Sequence, residues 1–246
     1  MKSSRVTLRS PAEIAQAREA GHLAARVLHM ITPHVQPGVS TEALDRLCHD
    51  YIVNELQVTP ANVGYLGYPK TVCTSVNHVI CHGIPSPGQV LKAGDIINID
   101  VAIIKDGWFG DTSRMYFVGE PSPLARRLVD TTYEAMCAGI AQVRPGATLG
   151  DVGHAIQTVA HRERFSVVRE YCGHGIGRQM HEEPQILHFG RPGTGMELRE
   201  GMVFTIEPML NQGSAKVRSL KDGWTVVTKD NSLSAQWEHT VAVTAD

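Results

Sequence analysis

Leu91-Lys92-Ala93-Gly94-Asp95-Ile96-Ile97-Asn98-Ile99-Asp100 has a counterpart 107 residues later, Leu198-Arg199-Glu200-Gly201-Met202-Val203-Phe204-Thr205-Ile206-Glu207. In the first copy Ile97, Ile99, Val101 and Ile103 alternate with Asn98, Asp100 and Ala102. In the second, Phe204 and Ile206 take the apolar parity, and Thr205 and Glu207 take the other. A period of two with one apolar face predicts a strand in each copy. A further match holds nearly the same register, Val35-Gln36-Pro37-Gly38-Val39-Ser40 against Val143-Arg144-Pro145-Gly146-Ala147-Thr148, 108 residues apart. The two offsets predict an internal duplication, roughly 11–118 and 119–246, within a single domain, 1–246. Asp100 and Glu207 are then equivalent positions on the more polar sheet face. Where two halves pack about a pseudo-dyad, such positions can meet at the axis.

Helix signals flank these strands. Ser10-Pro11-Ala12-Glu13 is a capping box with proline at the first helical position. Ala20, Ala24, Val27, Leu28 and Ile31 follow on one face, and Pro37-Gly38 is expected to stop the helix. Ser40 or Thr41 caps a second helix with the stripe Leu44, Leu47, Cys48, Tyr51 and Ile52. The later half repeats the scheme. Ser122-Pro123 opens a helix carrying Leu124, Leu128, Met136, Ile140 and Val143, and Thr148 opens another with Val152, Ile156 and Val159.

Composition bounds the function class. The 246 residues suffice to bury a substantial core, and 42% hydrophobic with 20% charged residues is ordinary for a globular chain. With 23 basic and 25 acidic side chains the formal charge is -2, and no long basic stretch favours nucleic acid as a direct partner. The opening MKSSRVTLRSPAEIAQAREAG has no apolar h-region and is not read as a secretory signal. No run approaches the roughly 18 apolar residues that would span a bilayer, so no membrane association is expected. Five scattered cysteines, without a C-x-x-C pair, point to reduced thiols in a cytoplasmic compartment. Each alone reads as a small buried apolar residue.

Asp100 and Asp111 flank the hairpin signal Lys105-Asp106-Gly107, which is expected to bring them roughly opposite each other. Like charges facing across a ladder repel, and a divalent cation is the simplest compensation, although a solvated pair on an exposed face fits these two residues equally well. Glu207, followed by a proline that cannot donate to a ladder, lies at a strand end or edge. Glu238 lies in Ser234–Val243, read as one last strand, and His174 lies among glycines that allow close backbone approach. Four carboxylates and one imidazole suit hard ions such as Mn(II) or Fe(II) better than structural zinc. They exceed the needs of one catalytic ion but suit two that share bridging carboxylates. Two motifs are set aside. Gly173-His174-Gly175-Ile176-Gly177 lacks nucleotide-loop spacing. His181-Glu182-Glu183-Pro184-Gln185 has Gln185 in place of the second zincin histidine and a proline that opposes a helix.

The ordered set Asn98-Ile99-Asp100, Gly110-Asp111-Thr112, Tyr171-Cys172-Gly173-His174-Gly175-Ile176-Gly177, His181-Glu182-Glu183-Pro184, Thr205-Ile206-Glu207-Pro208 and Gln236-Trp237-Glu238-His239-Thr240 resembles the motifs of type I methionine aminopeptidases over nearly the whole chain. The resemblance implies the α+β pita-bread fold: two pseudo-symmetric halves with a largely antiparallel curved sheet covered by helices. It implies a dinuclear site on Asp100, Asp111, His174, Glu207 and Glu238, with Asp111 and Glu238 bridging and Glu207 as general base. The two divalent ions would be Fe(II), Mn(II) or Co(II), with zinc as a further candidate. His82, from Cys81-His82-Gly83-Ile84-Pro85, would assist proton transfer or hold the scissile amide, and His181 would contact the substrate carbonyl.

The same resemblance places a methionine pocket at Tyr65, Tyr68, Cys73 and Trp224, with His82 at its edge. It places a monovalent cation near Asn77, Val79 and Ser234. Asn62 and Met180 depart from the family pattern, where cysteine and an aromatic residue are common, and this bears on the pocket's shape. The implied reaction removes N-terminal methionine from peptides and nascent chains, favouring a small second residue. The ribosome is a candidate partner, and a monomer is expected by family habit. A proline-directed relative is the rival enzyme, but those carry an additional N-terminal domain for which this chain is expected to be too short. A metal-free peptide-binding protein on the same fold is the rival from another class.

Overall fold

The structure, a computed structural model, describes residues 6–245; residues 1–5, part of the segment read as lacking a leader, lie outside the described residues. Helices α1 (Pro11–Ile31), α2 (Thr41–Asp50), α3 (Pro123–Ile140) and α4 (Leu149–Arg162) form where the caps and apolar spacing place them. Ser10 accepts from the Glu13 N–H while Glu13 returns a bond to the Ser10 N–H, the reciprocal box read from sequence. The first helix stops at Ile31, earlier than Pro37-Gly38, because a single-turn helix around Pro33 takes over at Thr32–His34.

The strands are β1 (Thr59–Pro60), β2 (Val72–Val76), β3 (Val79–Cys81), β4 (Ile96–Lys105), β5 (Trp108–Phe117), β6 (Ser166–Val167), β7 (Gly173–Gly175) and β8 (Glu182–Ile186). After them come β9 (Val203–Ile206), β10 (Met209–Asn211), β11 (Val217–Ser219), β12 (Val226–Thr228), β13 (Ser234–Gln236) and β14 (Glu238–Ala242). The main sheet runs β1-β4-β5-β14-β9-β7-β8, with β2 also paired to β4; β13-β10-β6 and β11-β12-β3 form two small sheets. Every pairing is antiparallel.

Parity decides which face each side chain serves. Ile97, Ile99, Val101 and Ile103 pack with α1 and α2 residues such as Ala24, Val27, Leu44 and Cys48 in one core. Phe204 and Ile206 pack with Leu128, Met136, Val152 and Ile156 of α3 and α4 in another. Helices therefore cover one side of the main sheet in each half. The opposite face is left to Asn98, Asp100, Ala102 and their neighbours.

Two expectations need correction. The hairpin turn is the two-residue Asp106-Gly107 with both φ positive, 51° and 77°, closing on a Lys105–Trp108 pair. That centre sets Asp100 opposite Ser113 and Asp111 opposite Ala102. The two carboxylates are thus diagonal neighbours on one face and not directly opposed. The expected last strand, Ser234–Val243, is broken at Trp237 into β13 and β14, which belong to different sheets. Asn98 Nδ2 takes the Gln236 carbonyl at 2.8 Å, and the Trp237 indole packs on Tyr133 and donates to the Val129 carbonyl. Among the described residues, no helix is long and apolar enough to cross a membrane.

Candidate metal centre

Five strands that are neighbours in the main sheet each deliver one side chain to the same place. In spatial order these are Asp100 on β4, Asp111 on β5, Glu238 at the start of β14, Glu207 just past β9 and His174 on β7. All five line one cavity of about 510 Å³. His174 Nε2 lies 3.8 Å from Asp111 Oδ2 and 3.6 Å from Glu207 Oε1. Ligand atoms of Asp111, His174 and Glu238 all lie within 4.8 Å of one another. The His174 Nδ1 sits 3.0 Å from the Gly175 carbonyl, a contact that favours the proton on Nδ1 and leaves Nε2 free to ligate.

The charge state is unusual. Among the described residues, no lysine or arginine lines the cavity. Burial pushes all four carboxyls up, Asp100 to about 7 and Glu207 to about 8. In Asp111 and Glu238, burial first and then repulsion from the other carboxylates raise the pKa well above the carboxylate range. Buried acids without a cation are costly. Their oxygens plus one imidazole fit a hard divalent metal, so the residues present suit the ions expected from sequence.

A supporting frame holds the ligands. Thr205 Oγ1 donates to Glu207 Oε1 at 2.8 Å, and Gln236 Nε2 donates to Oε2 at 3.2 Å. The Glu207 N–H donates to Nε2 of buried His188 at 3.2 Å. Thr112 Oγ1 donates to the Glu238 carbonyl and Thr240 Oγ1 to the Asp111 carbonyl, each at 2.7 Å. Gln236 lies within a motif quoted from sequence, yet its role escaped that reading, as did those of Thr205 and His188. Thr205 and Gln236 each stand two residues before a candidate ligand, and two-residue spacing was the signal that could have found them. His188 has no comparable signal.

The expected histidines and methionine-pocket residues, His82, His181, Tyr65, Tyr68, Cys73 and Trp224, also line the cavity, whereas Asn77, Val79 and Ser234 lie outside its lining. His82, with φ 56°, packs edge-on against Tyr171 and Trp224. Burial and the neighbouring His181 lower its pKa to about 4. Burial also lowers that of His181, whose Nδ1 lies 2.7 Å from the Tyr65 hydroxyl. Tyr68 meets Trp224 edge to face with centroids 5.1 Å apart, and buried Cys73 pairs with Asp100 across β2 and β4. Asn62 turns its amide to the Thr71 carbonyl, and Met180 is buried with Ala61 and Ala102. At the expected monovalent-cation position, the Asn77 carbonyl accepts the Ser234 N–H at 2.9 Å, and Val79 begins β3 beside β12. Among the described residues, Glu182–Ile186 is a strand, in line with the rejection of a zincin helix.

Residues 15–245 match metallopeptidase family M24. The methionine aminopeptidase of Escherichia coli (strain K12) is 56% identical over 97% of this chain and 90% of its own length. The crystal structure of methionine aminopeptidase from Rickettsia prowazekii superposes with a TM-score of 0.96 at 53% identity, covering 98% of this chain and 97% of that one. That of Thermotoga maritima superposes with a TM-score of 0.95 at 40% identity, covering 98% and 97%.

Proposed function

The chain belongs to metallopeptidase family M24 and, within it, to the methionine aminopeptidases, with their pita-bread fold, and from that premise we propose that it removes methionine from the N-termini of nascent proteins and peptides, favouring a small second residue. Asp100, Asp111, His174, Glu207 and Glu238 would hold two divalent ions, with Asp111 and Glu238 shared between them. The observation that carries this reading is the convergence of those five side chains from five adjacent strands into one cavity. Fe(II), Mn(II) or Co(II) suits the donor set, and zinc is tolerated by it. When bound, the ions supply Lewis acidity to the scissile carbonyl and to the attacking water.

The chain's own groups do the rest. Glu207, held at both oxygens by Thr205 and Gln236, takes a proton from the water and returns it to the leaving amine. The substrate's free amine sits near Asp100, which restricts cleavage to the first bond. His181 faces the scissile carbonyl, and His82 holds the amide or passes its proton on; both are kept neutral by burial. Tyr65, Tyr68, Cys73 and Trp224 surround the methionine side chain, where a thiol and aromatic faces suit a thioether. Backbone carbonyls around Asn77, Val79 and Ser234 form the monovalent-cation site in this reading. Residues 11–118 and 119–246 are read as copies of one ancestral unit. The protein acts as a monomer in the cytoplasm, with the ribosome as a candidate partner, and its five free cysteines accord with that compartment.

Metal-reconstituted protein with Met-Ala and Leu-Ala peptides is the test. Release of methionine is expected to dominate, and faster release of leucine would overturn the specificity.

A further inference from the structure

Leu66 is 81% exposed, more than any other large hydrophobic side chain among the described residues, yet it lines the cavity that holds the carboxylates. Its backbone is also unfavourable, with φ 47° and ψ 28° in the left-handed region that leucine rarely adopts. Gly64 and Gly67 on either side have φ of 80° and 86°. The loop is closed by Gly64 N–H to the Tyr68 carbonyl at 2.8 Å and Tyr68 N–H to the Tyr65 carbonyl at 2.9 Å. Glycine or asparagine would hold this position with less strain and no exposed apolar surface. A strained, solvent-facing leucine at the mouth of a site therefore needs a reason beyond folding.

Position supplies one. Tyr65, the preceding residue, reaches inward to His181, while Tyr68 lies deeper against Trp224. Leu66 and Tyr68 line the same cavity two residues apart, so a peptide whose first side chain is enclosed beside Tyr68 has this exposed turn within reach. An extended chain advances roughly 3.3 Å per residue, so its third residue stands about 7 Å from the first, at the mouth. Val63, on the same loop, is 49% exposed.

We propose that Leu66 is the contact for the side chain of the substrate's third residue, favouring an apolar group there. This rests on the methionine aminopeptidase reading. The test uses metal-loaded protein with Met-Ala-Leu-amide and Met-Ala-Ser-amide, comparing kcat/KM. The wild type should favour the leucine peptide about fivefold, the scale expected from partly covering one aliphatic side chain. In Leu66→Asn, which suits the left-handed backbone, the ratio should fall to about one; in Leu66→Met it should persist. Equal wild-type rates, or a preference that survives Leu66→Asn, overturns this inference alone. No cleavage of either peptide overturns the activity on which it rests, and the inference with it.

Discussion

Thr112 donates its hydroxyl to the main-chain carbonyl of Glu238 at 2.7 Å, tying β5 to β14 directly behind two of the candidate ligands. Thr240 returns the tie to Asp111. Ligand strands held this way need little reorganisation to receive a metal. Thr112→Val keeps the shape and removes the donor, and the His239 ring nitrogen 2.6 Å from the same carbonyl should keep the fold intact. Mn(II) affinity, measured by anaerobic titration calorimetry, is expected to fall about tenfold. Unchanged affinity would mean that the clasp does not shape the site.

Arg9 and Glu182 form a nearly buried ion pair, with Arg9 Nη2 at 2.7 and 2.6 Å from the two carboxylate oxygens. Glu182 also accepts the N–H groups of Arg178 and Gln179, so the segment that carries His181 is pinned from the N-terminal side. Arg9→Ala should cost about 2–3 kcal/mol of stability, because it strands a carboxylate largely out of water. It should also lower kcat/KM roughly tenfold as His181 loses its placement. Thermal denaturation and Met-Ala kinetics check both. A destabilised variant with unchanged kinetics would contradict the positioning role.

The pH dependence of the metal-free protein follows from two opposed sets of buried groups. Burial lowers His82 and His174 to about 4 and His188 to about 3, whereas Asp100 and Glu207 are raised to about 7 and 8, with Asp111 and Glu238 higher still than ordinary carboxyls. Depressed histidines favour the fold more as pH rises to about 6.5, their unfolded value. Raised carboxyls work the other way from about pH 4 upward, since the unfolded chain has by then released protons that the folded chain retains. Of these two sets only the carboxyls still titrate above about 6.5, so stability falls as pH rises; above about pH 8 the thiols of Cys48, Cys73 and Cys81, also pushed up by burial, add to the fall. Tm without metal is expected to drop on the order of 5 °C between pH 6.5 and 8, below the range where thiols titrate, and saturating Mn(II) should remove the drop. A metal-free Tm that climbs over this interval would contradict the reading of the carboxylate cluster.

Much of this arrangement was legible in the sequence because period-two patterning survives locally. The alternation around Asp100 and the matched segment ending at Glu207 correctly assign apolar residues to the helix-covered face. The cap residues Ser10, Ser40, Ser122 and Thr148 placed the helix starts because caps act over about three residues, whereas the end of the first helix fell short of Pro37-Gly38. What failed depended on exact register or distant partners. Centring the hairpin one residue early set Asp100 against Asp111, although the ladder pairs them with Ser113 and Ala102. The break at Trp237 arises from Asn98, 138 residues away in sequence, which captures the Gln236 carbonyl. His188 and the Arg9–Glu182 pair are likewise products of tertiary packing, with no local pattern to announce them.

Anomalous diffraction from crystals grown with Mn(II) tests the central claim most directly. The expected result is two ions roughly 3.5–4 Å apart, bridged by Asp111 and Glu238 and bounded by Asp100, His174 and Glu207, with both lost in Asp111→Asn. Ions bound elsewhere, or none at saturating metal in a folded, undamaged crystal, would contradict it.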